Sequence, residues 1–179
     1  MQFKKIAFFT IFFSIFFVAC SSSDSKKEED LKIKETTEYK LTTTDAQTLN
    51  ITKTENGLIF QEYKDKAVLL NFFATWCAPC KAEIPHLINL KEKYKDNFEI
   101  IAVLLEENKN SNKVKVFLEE HNINYVVTNS KQNYTLADAI GGIQSIPTMF
   151  LYDKNGKVIQ KYVGIVPEDM MEIDIKMAI

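Results

Sequence analysis

The hydrophobic pattern changes period several times along this chain, and each change marks an element. Residues 67–74 are apolar nearly throughout, with Asn71 the one polar member; such a run predicts a central strand covered on both faces. Beyond it Ile84, Leu87 and Ile88 recur at i, i+3 and i+4, with Leu90 and Tyr94 continuing the stripe. That spacing predicts a helix, bent at Pro85. Residues 98–105 form a second apolar run, and a strand–helix–strand crossover implies parallel pairing of the two strands. Residues 110–121 predict another helix, whose Val114, Phe117, Leu118 and His121 share a face. A short strand at 125–127 and a helix at 131–140 follow, the latter ended by Gly141-Gly142 as a C-terminal cap. Strands at 148–152 and 157–163 flank Asp153-Lys154-Asn155-Gly156, and Asn-Gly between alternating runs is a hairpin signal. Pro167 opens a last helix that runs to the end.

The N-terminal part has a different character. Lys4-Lys5 precedes an apolar run over residues 6–18, interrupted only by Thr10 and Ser14. A bilayer-spanning helix needs about 20 residues, so the run predicts a signal segment rather than a membrane span. Residues 1–19 are therefore expected to be a signal peptide. Ser21-Ser22-Ser23 and the charge run Lys26-Lys27-Glu28-Glu29-Asp30 make residues 20–35 a flexible tether, too poor in packing residues to offset the entropy of ordering. The domain proper is expected over 36–179. Its first stretch, residues 36–60, is Thr-rich with short alternations (Tyr39 and Leu41, Leu49 and Ile51), which predicts strands or a hairpin laid on the edge of the main sheet.

Composition changes this picture little. The chain has 179 residues, 46% of them apolar, and a formal charge of −2. All its basic residues are Lys, which argues against a nucleic-acid site, where Arg forks are favoured. No cofactor motif is visible.

The candidate chemistry lies in Trp76-Cys77-Ala78-Pro79-Cys80. A buried strand that ends in the first turn of a helix places Cys77 where unpaired backbone N–H groups and the helix dipole favour a thiolate. Pro79 is tolerated in that turn because it has no N–H to lose. Cys77 would attack a disulfide and Cys80, one turn in, would resolve the mixed disulfide. A closed zinc site needs four ligands, and no second Cys pair exists. His86 lies nine residues past Cys77, about 13 Å along the helix axis, too far to activate it. Both His86 and His121 read as structural, and no metal site is expected.

Two resemblances extend this reading. Phe17-Val18-Ala19-Cys20 resembles the bacterial lipoprotein signal, with Phe17 where that motif usually has Leu; it implies that Cys20 is lipidated. Residues 68–85, with Gly142-Ile143-Gln144-Ser145-Ile146-Pro147-Thr148, resemble the thioredoxin fold and, within it, the membrane-anchored thiol–disulfide oxidoreductases of the TlpA/ResA type. The implied fold is α/β: a mixed central sheet flanked by helices, with added N-terminal strands and a central α-β insert. The resemblance also implies that Ile146-Pro147 is a cis peptide facing the sulfurs, with Trp76 and Ile146 positioning the substrate. In thioredoxin a buried acid sits beneath the disulfide, and the matching residue here, Asn71, cannot titrate. TlpA/ResA-like proteins carry a Glu from the insert instead, which points to Glu106 or Glu107 as proton acceptor. Glu83 matches a family position on the helix and is expected to be structural or on the surface.

Three functions follow as expectations. The first is a reductase in the bacterial cell envelope, on the periplasmic side, acting on a disulfide-containing client such as apocytochrome c and recharged by a membrane-embedded thiol reductant. The second is an oxidase or isomerase of folding envelope proteins. The third is a lipoprotein whose Cys pair binds metal or is merely structural.

Overall fold

The computed structural model describes residues 37–106 and 110–179. The expected signal peptide, tether and Cys20 lie outside them, and so does Glu107. Two sheets and four helices are built from the described residues. The larger sheet has five strands in the order β6-β5-β4-β7-β8, where β4 is Ala67–Phe73, β5 Phe98–Leu104, β6 Val126–Thr128, β7 Thr148–Tyr152 and β8 Val158–Val163. β4, β5 and β6 run parallel, β7 runs antiparallel to β4, and β8 antiparallel to β7. Every residue of β4, β5 and β7 is buried, as expected of strands covered on both faces.

Side chains alternate across β4 and sort the core into two halves. Ala67, Leu69 and Phe73 face helices α1 (Ala78–Tyr94), α2 (Ser111–Glu120) and α4 (Glu168–Ala178), in a cluster with Ile84, Leu87, Phe117 and Met171. Val68, Leu70 and Phe72 face the other way, onto α3 (Gln132–Ala139) and the N-terminal strands. α1 continues through Pro85 as one helix. α4 is held to α1 by Glu172, whose Oε1 accepts from Lys93 Nζ at 2.8 Å and Tyr94 Oη at 2.9 Å.

The N-terminal strands differ from expectation in their placement. β1 (Thr37–Thr42), β2 (Thr48–Lys53) and β3 (Leu58–Phe60) are added strands as expected, but they make a separate antiparallel sheet rather than lying on the edge of the main one. The reason is their alternation: Tyr39, Leu41, Leu49, Ile51, Leu58 and Phe60 are all buried on one face, and that face is matched by Val68, Leu70, Phe72, Ile101 and Val103 of the main sheet. Covering a sheet face removes far more apolar area from water than extending its edge would. The edge is still touched. The Thr44 N–H donates to Val127 O at 2.9 Å and the Asn129 N–H to Thr42 O at 2.8 Å, stitching the end of β1 to edge strand β6. At the opposite side the Leu58 N–H donates to Gly156 O at 2.9 Å. Two glycines allow this approach, since a Cβ on Gly57 would stand 2.0 Å from Gly156 O, and one on Gly156 would stand 2.2 Å from Leu58 O.

Because the small sheet is held chiefly by this apolar face, Ile51→Ala should cost about 2–5 kcal/mol, the usual range for truncating a buried Ile. Urea denaturation of the two proteins measures it; a loss under about 0.5 kcal/mol would mean that the N-terminal sheet is not part of the cooperative core.

Candidate functional site

The site forms where β4 runs out. Phe73 is the last residue of β4 and α1 begins at Ala78, so four residues carry the chain from a buried strand into a helix N-terminus. Three hydrogen bonds shape that turn. The Thr75 N–H donates to Glu106 Oε2 at 3.1 Å, Thr75 Oγ1 donates to the same oxygen at 2.7 Å, and the Cys77 N–H donates to Ala74 O at 3.1 Å. Glu106 therefore clamps the approach to the cysteines. Its Oε2 is engaged by Thr75; Glu107, the other member of the doublet, lies outside the described residues.

Cys77 is the N-cap of α1. Its Sγ accepts the Cys80 N–H at 3.2 Å, and its carbonyl accepts the Lys81 N–H at 3.1 Å. Pro79 sits in the first turn, as the sequence requires. Sulfur thus takes the place that a Ser or Asp oxygen holds in ordinary caps, and a thiolate there would meet an oriented N–H and the positive end of the helix. Cys77 and Cys80 are joined as a disulfide with Cα atoms 5.3 Å apart. Both are buried, at 4% and 3% exposure, while neighbouring Trp76 is 67% exposed.

β7 brings the second half of the site. Phe72 pairs with Thr148 in the β4–β7 ladder, which sets the preceding Ile146-Pro147 beside the end of β4. That peptide bond is cis. The Ile146 carbonyl lies 3.8 Å from Cys77 Sγ. Two bonds hold the loop: Thr148 Oγ1 donates to Ser145 O at 2.7 Å, and the Gly164 N–H donates to Pro147 O at 2.8 Å. The exposed apolar side chains of Trp76, Val163 and Ile165 are the neighbours in sequence of these groups.

The structure also brings in a residue expected to be structural or on the surface. Glu83 is 0% exposed. It lies three residues beyond Cys80 on the same buried face of α1, where i, i+3 side chains are neighbours. Its Oε2 accepts the Val166 N–H at 3.2 Å, and its Oε1 has no partner in the structure. Burial pushes its carboxyl above the ordinary 4.5, more than the Val166 hydrogen bond and the charge of His86 lower it. The signal was present in the sequence: at 100° per residue Glu83 falls between Leu87 and Leu90, inside the apolar stripe. Asn71 is buried too, on the α1 side of β4 by strand alternation, and its Oδ1 is likewise unpartnered. His121 behaves as expected, closing α2 with its ring 4.4 Å from that of Phe117. His86 is half-buried one turn beyond Glu83, with Nδ1 buried and unpartnered. Among the described residues no group of three or more His, Cys, Asp or Glu is placed to hold a metal ion.

A capped, buried dithiol beside a cis-proline loop is built for thiol–disulfide exchange, and comparison with known proteins agrees. Residues 40–179 match the Redoxin family; the chain belongs to that family, with a thioredoxin-like α/β fold. Within it the likeness is to the TlpA/ResA type. Thiol-disulfide oxidoreductase ResA of Bacillus thuringiensis subsp. konkukian (strain 97-27) is 36% identical over 113 residues, 63% of each chain. Thioredoxin-like protein YneN of Bacillus subtilis (strain 168) is 31% identical over 113 residues, 63% of this chain and 65% of that one. The alignments thus span just under two thirds of these relatives. Among solved structures, a thiol:disulfide interchange protein of the thioredoxin family from Chlorobium tepidum TLS is 27% identical with a TM-score of 0.64, over 79% of this chain and 92% of that one. StoA from Bacillus subtilis, 19% identical over 77% of this chain and 96% of that one, shares the fold with a TM-score of 0.61.

The burial of Glu83 has a measurable sign. A carboxyl raised on folding favours the folded state in its neutral form. The stability it contributes is fully present below the ordinary carboxylate value and is lost as pH rises through the raised folded one. Glu83→Gln should therefore raise the melting temperature, with a gain smallest near about pH 4 and growing toward neutrality. Thermal scans across that window decide it; a gain independent of pH would show that Glu83 does not carry the penalty.

Proposed function

We propose that this protein is an extracytoplasmic reductase of protein disulfides. The reaction runs in two exchanges. The Cys77 thiolate attacks one sulfur of the client disulfide, forming a mixed disulfide and releasing the other client sulfur as a thiolate, which takes a proton from solvent. Cys80 then loses its proton, attacks Cys77 Sγ and releases the second client thiolate. The client gains two electrons and the Cys77–Cys80 pair is left oxidised, to be recharged by a thiol reductant. An extended client segment would lie along Ile146, with Trp76 and Pro147 framing the attack on the disulfide.

The observation that carries this direction is the buried acid beyond Cys80. Oxidants of this chemistry owe their high potential to a stabilised thiolate in the reduced form. A carboxyl at Glu83 does the reverse: neutral, it offers no positive charge, and ionised, it opposes a second negative charge on Cys80. The ionised form is also the proton acceptor that Cys80 needs, a role expected of Glu106 or Glu107. With Glu106 bound to Thr75, Glu83 takes that role in this reading, and Glu107 is the remaining candidate.

The relatives named thiol-disulfide oxidoreductase support a client that carries a disulfide; the client class foreseen from the sequence is the cysteines of an apocytochrome c awaiting haem. A membrane-embedded donor would supply the electrons. Lipidation at Cys20 would hold the domain to the periplasmic side of a membrane; among the described residues no helix is long and apolar enough to cross one. Incorporation of labelled fatty acid, lost in Cys20→Ser, tests the anchor.

The direction is tested by equilibrating the Cys77–Cys80 pair against dithiothreitol buffers. A potential at or below about −270 mV is expected, and one near −120 mV would make the protein an oxidant of folding proteins. Cys80→Ser should leave Cys77 covalently bound to a disulfide substrate as an adduct visible by mass, and Cys77→Ser should bring reductase activity to background. An active Cys77→Ser protein would remove Cys77 from the attacking role.

A further inference from the structure

His86 is too distant from Cys77 to act on it, but it is close in the helix to another ionisable group. It lies three residues beyond Glu83 on α1, one turn further along the same flank. Both side chains end in a buried atom without a hydrogen-bond partner in the structure, Glu83 Oε1 and His86 Nδ1. Buried polar atoms are normally satisfied, so two orphans one turn apart, beside the resolving cysteine, single out this flank. The two residues differ in access. Glu83 is sealed from solvent, whereas His86 is only partly buried.

The other groups packed against Glu83 offer no competing charge. The β8–α4 loop contributes the Val166 N–H, which engages the other carboxylate oxygen. From the segment before β6 comes Tyr125, kept protonated because burial first, and then the charge of Glu83, push its hydroxyl up. Asn71, buried on the α1 side of β4, does not titrate. On α1 itself stand Cys80 and His86. Histidine is the side-chain type that changes charge most readily around neutrality.

We infer that His86 is the positioning charge that decides when Glu83 holds its proton, and so sets the pH range in which Cys80 can be deprotonated to resolve a mixed disulfide. The inference rests on the reading of Glu83 as proton acceptor. A cationic imidazole favours the Glu83 carboxylate, which can accept the Cys80 proton; without that cation, burial keeps Glu83 protonated to higher pH and the acceptor is lost. The electrostatic direction agrees, since the charge of His86 lowers the raised carboxyl of Glu83.

The experiment follows oxidation of the full-length reduced protein by saturating oxidised glutathione through Trp76, the chain's single tryptophan, across about pH 4 to 9. Glu83→Gln should slow the reaction near neutrality by about 100-fold, the low end for losing a positioned base. His86→Phe and His86→Gln should move the acid limb of the rate profile to higher pH. His86→Lys, which keeps a cation, should leave that limb in place or move it to lower pH. In the Glu83→Gln background His86→Phe should shift nothing. An unmoved limb in both His86→Phe and His86→Gln overturns the inference while leaving Glu83 as acceptor, and so does an equal shift in the Glu83→Gln background. A Glu83→Gln protein as fast as the parent overturns the Glu83 reading itself. Melting temperatures of each variant separate loss of fold from loss of charge, because a purely structural role would move stability and not the limb.

Discussion

Everything at this site depends on how a strand buried on both faces is allowed to end. β4 has every side chain covered and its backbone paired to β5 on one side and β7 on the other. Where such a strand stops, its neighbours' polar groups need new partners or the interior is left unsatisfied. Here the chain turns at once into α1, whose first N–H groups are themselves orphans, and a sulfur takes up the nearest of them. The reactive atom is therefore also the cap. Chemistry and fold share one hydrogen bond, Cys80 N–H to Cys77 Sγ. A cap of this kind strengthens as the sulfur becomes anionic, so the geometry that stabilises the helix also favours the nucleophilic form.

The two sheets matter because they hold that end of β4 still. The three N-terminal strands cover Val68, Leu70 and Phe72 on one face, while α1 and α4 cover Leu69 and Phe73 on the other. β7 then delivers Pro147 to Cys77 through its register with β4, in which Phe72 faces Thr148. The T-shaped contact of Phe72 with Phe150 supports the same register, and that of Phe60 with Tyr152 packs the small sheet onto β7. The separation of Cys77 from the cis-proline loop is thus set by packing several residues away, and Glu106 fixes what remains by holding Thr75 from the neighbouring strand end.

Much of this was legible in residue order. The continuous apolar runs of β4 and β5, the Asn155-Gly156 hairpin and the Cys-x-x-Cys after a buried strand each have one plain reading, because periodicity, turn chemistry and capping agree there. What could not be read is what depends on contacts between distant segments. The alternation of Tyr39 with Leu41 and Leu49 with Ile51 says that a face is buried, but not what covers it, so an edge hairpin and a covering sheet look alike. The doublet Glu106-Glu107 hides its orientation for the same reason. Glu83 is different: its place inside the stripe of Ile84, Leu87 and Leu90 was readable, and of the two expected places, structural or surface, burial excludes the surface.

That last case shows why this buried acid stands where it does. An ionisable side chain in an apolar stripe lowers stability unless its charge is compensated, and the Val166 N–H compensates only half of the Glu83 carboxylate. The unpartnered oxygen is not what packing alone would select, because a buried polar atom without a partner costs stability. Stability-reducing groups that persist beside reactive atoms are where function and fold conflict. On α1 the conflict falls on Glu83, sealed from solvent three residues beyond the buried sulfur of Cys80.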